Sequence, residues 1–295
     1  MTTKNILITL LALLLIGGGA YWLLNSGGDV ETVPVADTMP VEPDGGIGDG
    51  ATPLDELIGD EDIMTYESQT VLGSSVDGTT ITAYHFGNGS DEMILVGGTH
   101  GSYSANTAEL AEEFISYLGN NESLVPENMR VTVIPVVNPD GLAAGGTTGR
   151  FNANDVDINR NFDCDWAATS MWRDQEVSGG SAAFSEPEAQ AIRDYVSEVN
   201  VVGAIVWFAA EGKVYPSACE GAPSNASVAL AATFANAAGY GAEAEFDAYT
   251  INGDMVNWMA KEGIPAISVL LTDRNGIEWN KNEAGFKAAL ESLSN

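Results

Sequence analysis

In the stretch "LVGGTHGSYSANTAEL", residues 95 to 110, an apolar run ends in two glycines, followed by His100 and then a helical pattern. An imidazole placed this way, at the carboxyl end of a buried strand, is suited to ligate a metal or to move a proton. One other histidine, His85, exists in the chain. A lone imidazole cannot hold Zn²⁺, which takes three or four protein ligands. Ser102 and Ser104 lie close enough in sequence to raise a serine–histidine pair, but no nucleophile elbow and no acid signal accompany them. Cys164 and Cys219 have no Cys-x-x-Cys spacing. In an exported domain an even count reads as one disulfide, with two free buried thiols as the alternative.

The elements that must position these groups alternate in kind. "TTITAYHF" and "EMILVGGT" have the composition of strands and are separated by the turn signal "GNGS". "NTAELAEEFISYLG" sets Leu110, Phe114 and Leu118 on one helical face. "RVTVIPVVN" is a strand closed by "NPDG", and "SEPEAQAIRDYVSEV" opens with Ser185 and Glu188 in capping-box register. "VVGAIVWFAA" and "IPAISVLLTD" are buried strands, and "SVALAATFANAAGY", "GDMVNWMAKEG" and "NEAGFKAALESLSN" are helices. Strands alternating with helices make an α/β fold with a mostly parallel or mixed sheet, covered on both faces. Ligands in such folds sit beyond the strands' carboxyl ends. His100, Asn138, Phe208 and the stretch near Leu270 all fall there, so a site is expected from these four places.

The chain has 295 residues, enough for a sizeable core, and carries 42 acidic against 11 basic side chains, a formal charge of −31. No Lys or Arg occurs between Lys4 and Arg130. Such a chain repels nucleic acid and anionic lipid surfaces. Ile6 to Leu24 is an uncharged apolar run of membrane-spanning length with Lys4 before it and acidic residues after it. Residues 1–24 are therefore expected to be a membrane anchor, with a cleaved signal segment as the alternative, and the remainder is expected outside the cytoplasm. Residues 25–62, rich in Gly, Pro, Asp and Glu, read as an acidic flexible linker, and residues 63–295 as the main domain.

Five stretches, "GGTHG", "VIPVVNPDGL", "GRFNANDVDINRNFDCDW", "AAFSEPEAQAI" and "GIPAISVLLTDR", occur in this order and together resemble the M14 zinc carboxypeptidase family. The likeness runs from about residue 66 to 295 and implies a mixed, largely parallel eight-stranded sheet flanked by helices. It also implies a zinc ion held by two His and one Glu, and a second Glu as general base. His100 matches the first zinc histidine. The Glu ligand should follow by three or four residues, where Tyr103 and Ser104 stand, with Ser104 the preferred replacement. The second His falls on Phe208, or on Trp207 in the alternative register, and the general-base Glu falls on Leu270. Glu211 and Glu109 are the carboxylates that a shifted register could bring inward. On the substrate side Asn159 and Arg160 match the carboxylate-binding pair, Arg150 matches the oxyanion arginine, and Tyr249 matches the mobile capping tyrosine. The bland reading of Arg160 is an ion pair with Asp157 or Asp163.

The resemblance thus implies a pseudo-peptidase, exported and membrane-anchored, without bound zinc or peptidase activity, that binds peptides or cell-wall peptides by their C-terminal carboxylate. An active carboxypeptidase with atypical ligands and a structural or protein-interaction domain are the alternatives. No nucleic-acid partner is expected.

Overall fold

A computed structural model describes residues 68–295. The apolar segment 1–24 and the linker 25–62 lie outside the described residues, and no described helix is long and apolar enough to cross a membrane. In chain order the elements are β1 (Ser68–Ser74), β2 (Thr80–Phe86), β3 (Asp91–Val96), α1 (Ala105–Asn120), β4 (Met129–Ile134), α2 (Pro139–Ala144), β5 (Thr169–Trp172) and β6 (Gln175–Ser178). They continue with α3 (Pro187–Glu198), β7 (Asn200–Ala209), β8 (Lys213–Pro216), α4 (Asn225–Ala238), β9 (Gly241–Ala242), α5 (Met255–Lys261), β10 (Ala266–Leu271) and α6 (Trp279–Leu293).

Eight strands form one sheet in the order β1-β2-β4-β3-β7-β10-β8-β9, and β5 and β6 form a separate hairpin. The pairs β4–β3, β3–β7, β7–β10 and β8–β9 are parallel, and the remaining three are antiparallel. The expected mixed, largely parallel sheet is thus present. Side chains alternate across it with period two. Met93, Leu95, Ile205, Trp207, Ile267 and Val269 face a core covered by α1, α4 and α6. Ile94, Val96, Ala204, Val206, Phe208 and Ala266 face the opposite core, under α3 and α5.

Local chemistry explains where the elements stop. β3 gives way to Gly97 and Gly98, and a 3₁₀ turn, Gly101–Ser104, follows His100. Gly101 adopts φ +43°, and a Cβ there would lie 2.5 Å from the backbone of Gly141 and Gly149, so the turn needs a glycine. The helix over "SEPEAQAIRDYVSEV" forms, but the Ser185–Glu188 capping box does not. Pro187 takes the first helical position, leaving Glu186 as the cap, while Ser185 bonds Glu186 and Glu188 accepts from Val76 N and Asn152. Asn138 likewise turns inward: fully buried, its Oδ1 accepts from Gly141 N and caps α2, so it does not reach the cleft described below.

Candidate functional site

The carboxyl ends of β3, β7 and β10 open into a cleft of about 560 Å³. One end holds His100, Tyr103, Phe208 and Leu270. Phe208 and Leu270 are direct partners in the parallel β7–β10 register, and the Phe208 ring centre lies 5.4 Å from that of His100. The period of the strand assigns Phe208, not Trp207, to this position. Trp207 points to the opposite core, stacks on Phe114 at 5.0 Å and donates its indole N–H to Asn282. After His100 the chain makes a 3₁₀ turn of three residues per turn, so the residue three positions on shares its face. Tyr103 therefore lines the cleft, whereas Ser104, the preferred replacement from sequence, is buried away from it. Glu109 is exposed on α1, and Glu211 stands at the cleft edge, 3.3 Å from Lys213 Nζ.

His100 is buried, and its Nε2 lies 3.6 Å from Asp157 Oδ1 with no hydrogen-bond partner. Burial, helped by the positive charge of Arg150, pushes its pKa down to about 4, so the ring is neutral at neutral pH. Asp157 is fully buried, which alone would raise its pKa. Arg150 outweighs this and holds the carboxyl well below the usual range. Arg150 donates Nε and Nη2 to Asp157 Oδ2, at 2.9 and 2.7 Å. It lines the cleft, where the sequence reading expects the oxyanion arginine, and commits Nε and Nη2 to that carboxylate.

Arg160 is built differently. It is 1 % exposed, donates Nη1 to its neighbour's carbonyl, Asn159 O, and Nη2 to Met171 O, and leaves Nε buried without a partner. Neither acid proposed as its ion-pair partner holds it, since Asp157 pairs with Arg150 and Asp163 with Lys261. Tyr249 does reach the cleft, with its ring centre 5.9 Å from the Arg160 guanidinium carbon. Asn159 is placed here too, but its amide holds α5: Nδ2 donates to Asp254 and Oδ1 accepts from Met255 N. The loop before α5 is pressed against Arg160, since a Cβ on Gly253 (φ +66°) would lie 2.1 Å from Arg160 O. Cys164 and Cys219 form the expected disulfide, and Gly253 N bonds Cys164 O, so the bridge ties two loops beside the cleft.

Two further arginines, Arg173 and Arg274, line the same cleft and had been given no role. Arg274 lies over the Tyr103 ring at 4.2 Å, and Arg150 over Trp172 at 4.5 Å. The signal that would have marked them is scarcity: four of six arginines in a strongly acidic chain converge here. Trp172 and Arg173 were missed because the β5–β6 hairpin was not expected.

Zinc chemistry requires a donor set that these residues do not supply. An aromatic ring and an alkyl chain stand beside the one imidazole, and among the described residues the grouping of possible metal ligands consists of Cys164, Asp165 and Cys219, whose thiols form the disulfide. The residues present at His100 do not fit a zinc ion.

The zinc carboxypeptidase family model matches residues 60–289. Over 143 residues the chain is 29 % identical to bacteriocin BCN5 of Clostridium perfringens, a stretch covering 46 % of this chain and 16 % of that protein. Over 116 residues it is 30 % identical to murein peptide amidase A of Escherichia coli, covering 36 % and 44 %. The matches thus span less than half the length of these curated relatives. The fold resembles that of a carboxypeptidase A from Helicoverpa armigera, with a TM-score of 0.64 at 18 % identity, covering 77 % of this chain and 68 % of that one. It also resembles the murein-tripeptide amidase of Escherichia coli O157, with a TM-score of 0.56 at 21 % identity, covering 77 % and 91 %. Sheet, cleft and family match agree: the chain belongs to the zinc carboxypeptidase family, Peptidase_M14.

Proposed function

We propose that this protein is a non-hydrolysing member of its family, exported and membrane-anchored, which binds peptides or cell-wall peptides by their free C-terminal carboxylate. The observation that carries the reading is Arg160. A nearly fully buried guanidinium bonded only to carbonyls, with an unpartnered Nε and no carboxylate within 4.0 Å, has lost its hydration without a direct ion pair, the buried Asp157 and Asp254 acting on it only through space. A ligand carboxylate entering the cleft would restore it with charge-assisted hydrogen bonds. The family's positions for the second zinc histidine and the general base hold Phe208 and Leu270, which offer no donor to a metal and no base for water. Filling that space with apolar groups avoids the cost of a buried, unpaired imidazole or carboxylate.

The test has two arms. Purified protein equilibrated with Zn²⁺ and then dialysed should retain no stoichiometric metal and cleave no C-terminal residue from a peptide. Stoichiometric zinc that His100→Ala abolishes would overturn the non-hydrolysing reading. A peptide with a free C-terminus should bind about tenfold or more tighter than its C-terminal amide, as expected for losing a charge-assisted bond. An Arg160→Gln variant should bind the two alike, and unchanged discrimination in that variant would overturn the carboxylate assignment.

A further inference from the structure

Among the described residues, six basic side chains are ion-paired: Arg150, Arg193, Lys213, Lys261, Lys281 and Lys287. Four have no carboxylate within 4.0 Å: Arg130, Arg160, Arg173 and Arg274, and all but Arg130 line the cleft. With 42 acidic groups in the chain, want of acids does not explain why the exceptions collect in one place. Glu211, the cleft-edge acid nearest in sequence to β7, is held by Lys213 instead.

Arg274 is the most deliberately placed of the three. Its loop follows β10 and is pinned to α1 by the buried Asn106, whose Nδ2 donates to Asp273 O at 3.0 Å and to Gly276 O at 2.9 Å. The guanidinium donates Nη2 to Ala209 O, the residue after Phe208, and lies over the Tyr103 ring, while its Nε is buried without a partner. Tyr103 packs edge-on against Trp172 at 5.0 Å, and Arg173 lies over the same indole. The packed pair of rings thus carries Arg274 on Tyr103 and Arg173 on Trp172, contacts that hold guanidinium planes without neutralising them. Tyr103 occupies one of the two positions where the resemblance calls for the glutamate zinc ligand, so Arg274 brings a fixed positive charge to the end of the cleft that lacks metal donors.

We infer that the cleft has a second anion-recognition position, built by Arg274 on Tyr103 and Trp172, and that the ligand is a dianionic peptide: a free C-terminal carboxylate at Arg160 and an acidic side chain within the last two residues at Arg274. The inference rests on the carboxylate reading of Arg160 and narrows it to a ligand class. Arg160, in the turn after Asp157, and Arg274, in the loop after β10, are fixed by separate elements of the cleft lining, so the two charges select for spacing as well as sign.

The experiment is a fluorescence-anisotropy titration of the full chain with labelled peptides ending in Glu-Ala and Ala-Glu, their Gln isosteres, and the C-terminal amide of each. One of the acidic peptides should bind about tenfold tighter than its Gln isostere, as expected for one charge-assisted contact. Arg274→Gln should erase that preference while the acid-over-amide preference survives. Gln isosteres binding within twofold of both acidic peptides would overturn the second position, and this comparison needs only the wild-type protein. Glu-over-Gln discrimination that persists in Arg274→Gln would overturn the assignment to Arg274. Loss of acid-over-amide discrimination in the wild type would instead strike the Arg160 reading, so the two failures are distinguishable.

Discussion

Around His100, the Phe208 ring centre lies 5.4 Å from that of the imidazole with Leu270 beside it in register, and the nearby carboxylate of Asp157 is paired directly with Arg150. Arg160, in the same cleft, has no carboxylate within 4.0 Å and feels Asp157 and Asp254 only through space; carbonyl hydrogen bonds hold it and Tyr249 approaches it. In the first region the buried carboxylate is matched by a direct ion pair, although His100 Nε2 still lacks a hydrogen bond. The second leaves the buried Arg160 Nε without a hydrogen bond, which the ligand carboxylate proposed above would supply. Apolar groups in place of polar ones can be neutral for a fold, whereas a buried cation without a direct ion pair costs stability.

The largest effect should come from placing metal donors beside His100. The sequence reading selects Ser104→Glu, Phe208→His and Leu270→Glu as the reversion that recovers zinc. The 3₁₀ turn instead selects Tyr103→Glu with the same two partners. Calorimetric titration with Zn²⁺ should show several orders of magnitude more affinity for the Tyr103→Glu triple variant than for the wild type, and no gain for the Ser104→Glu version. If neither folded variant binds metal, the assignment of Phe208 and Leu270 to the ligand and base positions fails.

A second contrast lies between the two arginines. Arg150→Gln leaves Asp157 buried and unpaired, and chemical denaturation should show a loss of about 3–5 kcal/mol. Arg160→Gln breaks no direct ion pair and removes only the through-space attraction of Asp157 and Asp254 and two hydrogen bonds to carbonyls, so its stability loss should be clearly smaller even as binding is lost. Equal losses in both variants would mean that Arg160 is structural and that the two ends of the cleft do not differ as described.

The smallest effect is a pH dependence. The folded pKa of His100, about 4, lies below its unfolded value near 6.5. Below pH 6.5 the unfolded chain therefore binds a proton that the native state refuses. Stability is fully present above that pH and falls by up to about 1.4 kcal/mol per unit as pH drops toward 4. His85, also lowered by burial, adds to the same window, and the depressed carboxyl of Asp157 adds a loss with the same sign below its unfolded value of 3.8. Subtracting the profile of His100→Gln from that of the wild type isolates the His100 share. A flat difference between pH 4 and 6.5 would contradict its burial as a neutral ring.

Much of the fold was legible because periodicity reports burial. The stretch around Phe114 repeats its apolar residues at helical spacing, and those around Ile205 and Val269 are apolar runs of strand length, as strands buried on both faces require. β8, β9 and the β5–β6 hairpin were not foreseen, since strands of two to four residues leave too little pattern to read. In the site, the period of β7 places Phe208 at the cleft, but Ser104 misled because the turn after His100 is tighter than an α-helical one. Asn138 misled because a strand-end amide can cap the next helix as readily as line a site. Whether a given arginine is paired depends on residues far away in sequence, so the difference between Arg150 and Arg160 became visible only in three dimensions.

The most direct test of the central claim is calorimetric titration of a free-acid peptide into the full chain in excess EDTA, with the C-terminal amide and the Arg160→Gln variant alongside. The account predicts saturable binding of the acid that survives the chelator, is weakened about tenfold or more by amidation, and is lost in Arg160→Gln. Binding that appears only when zinc is restored, or that ignores the C-terminal carboxylate, would contradict it.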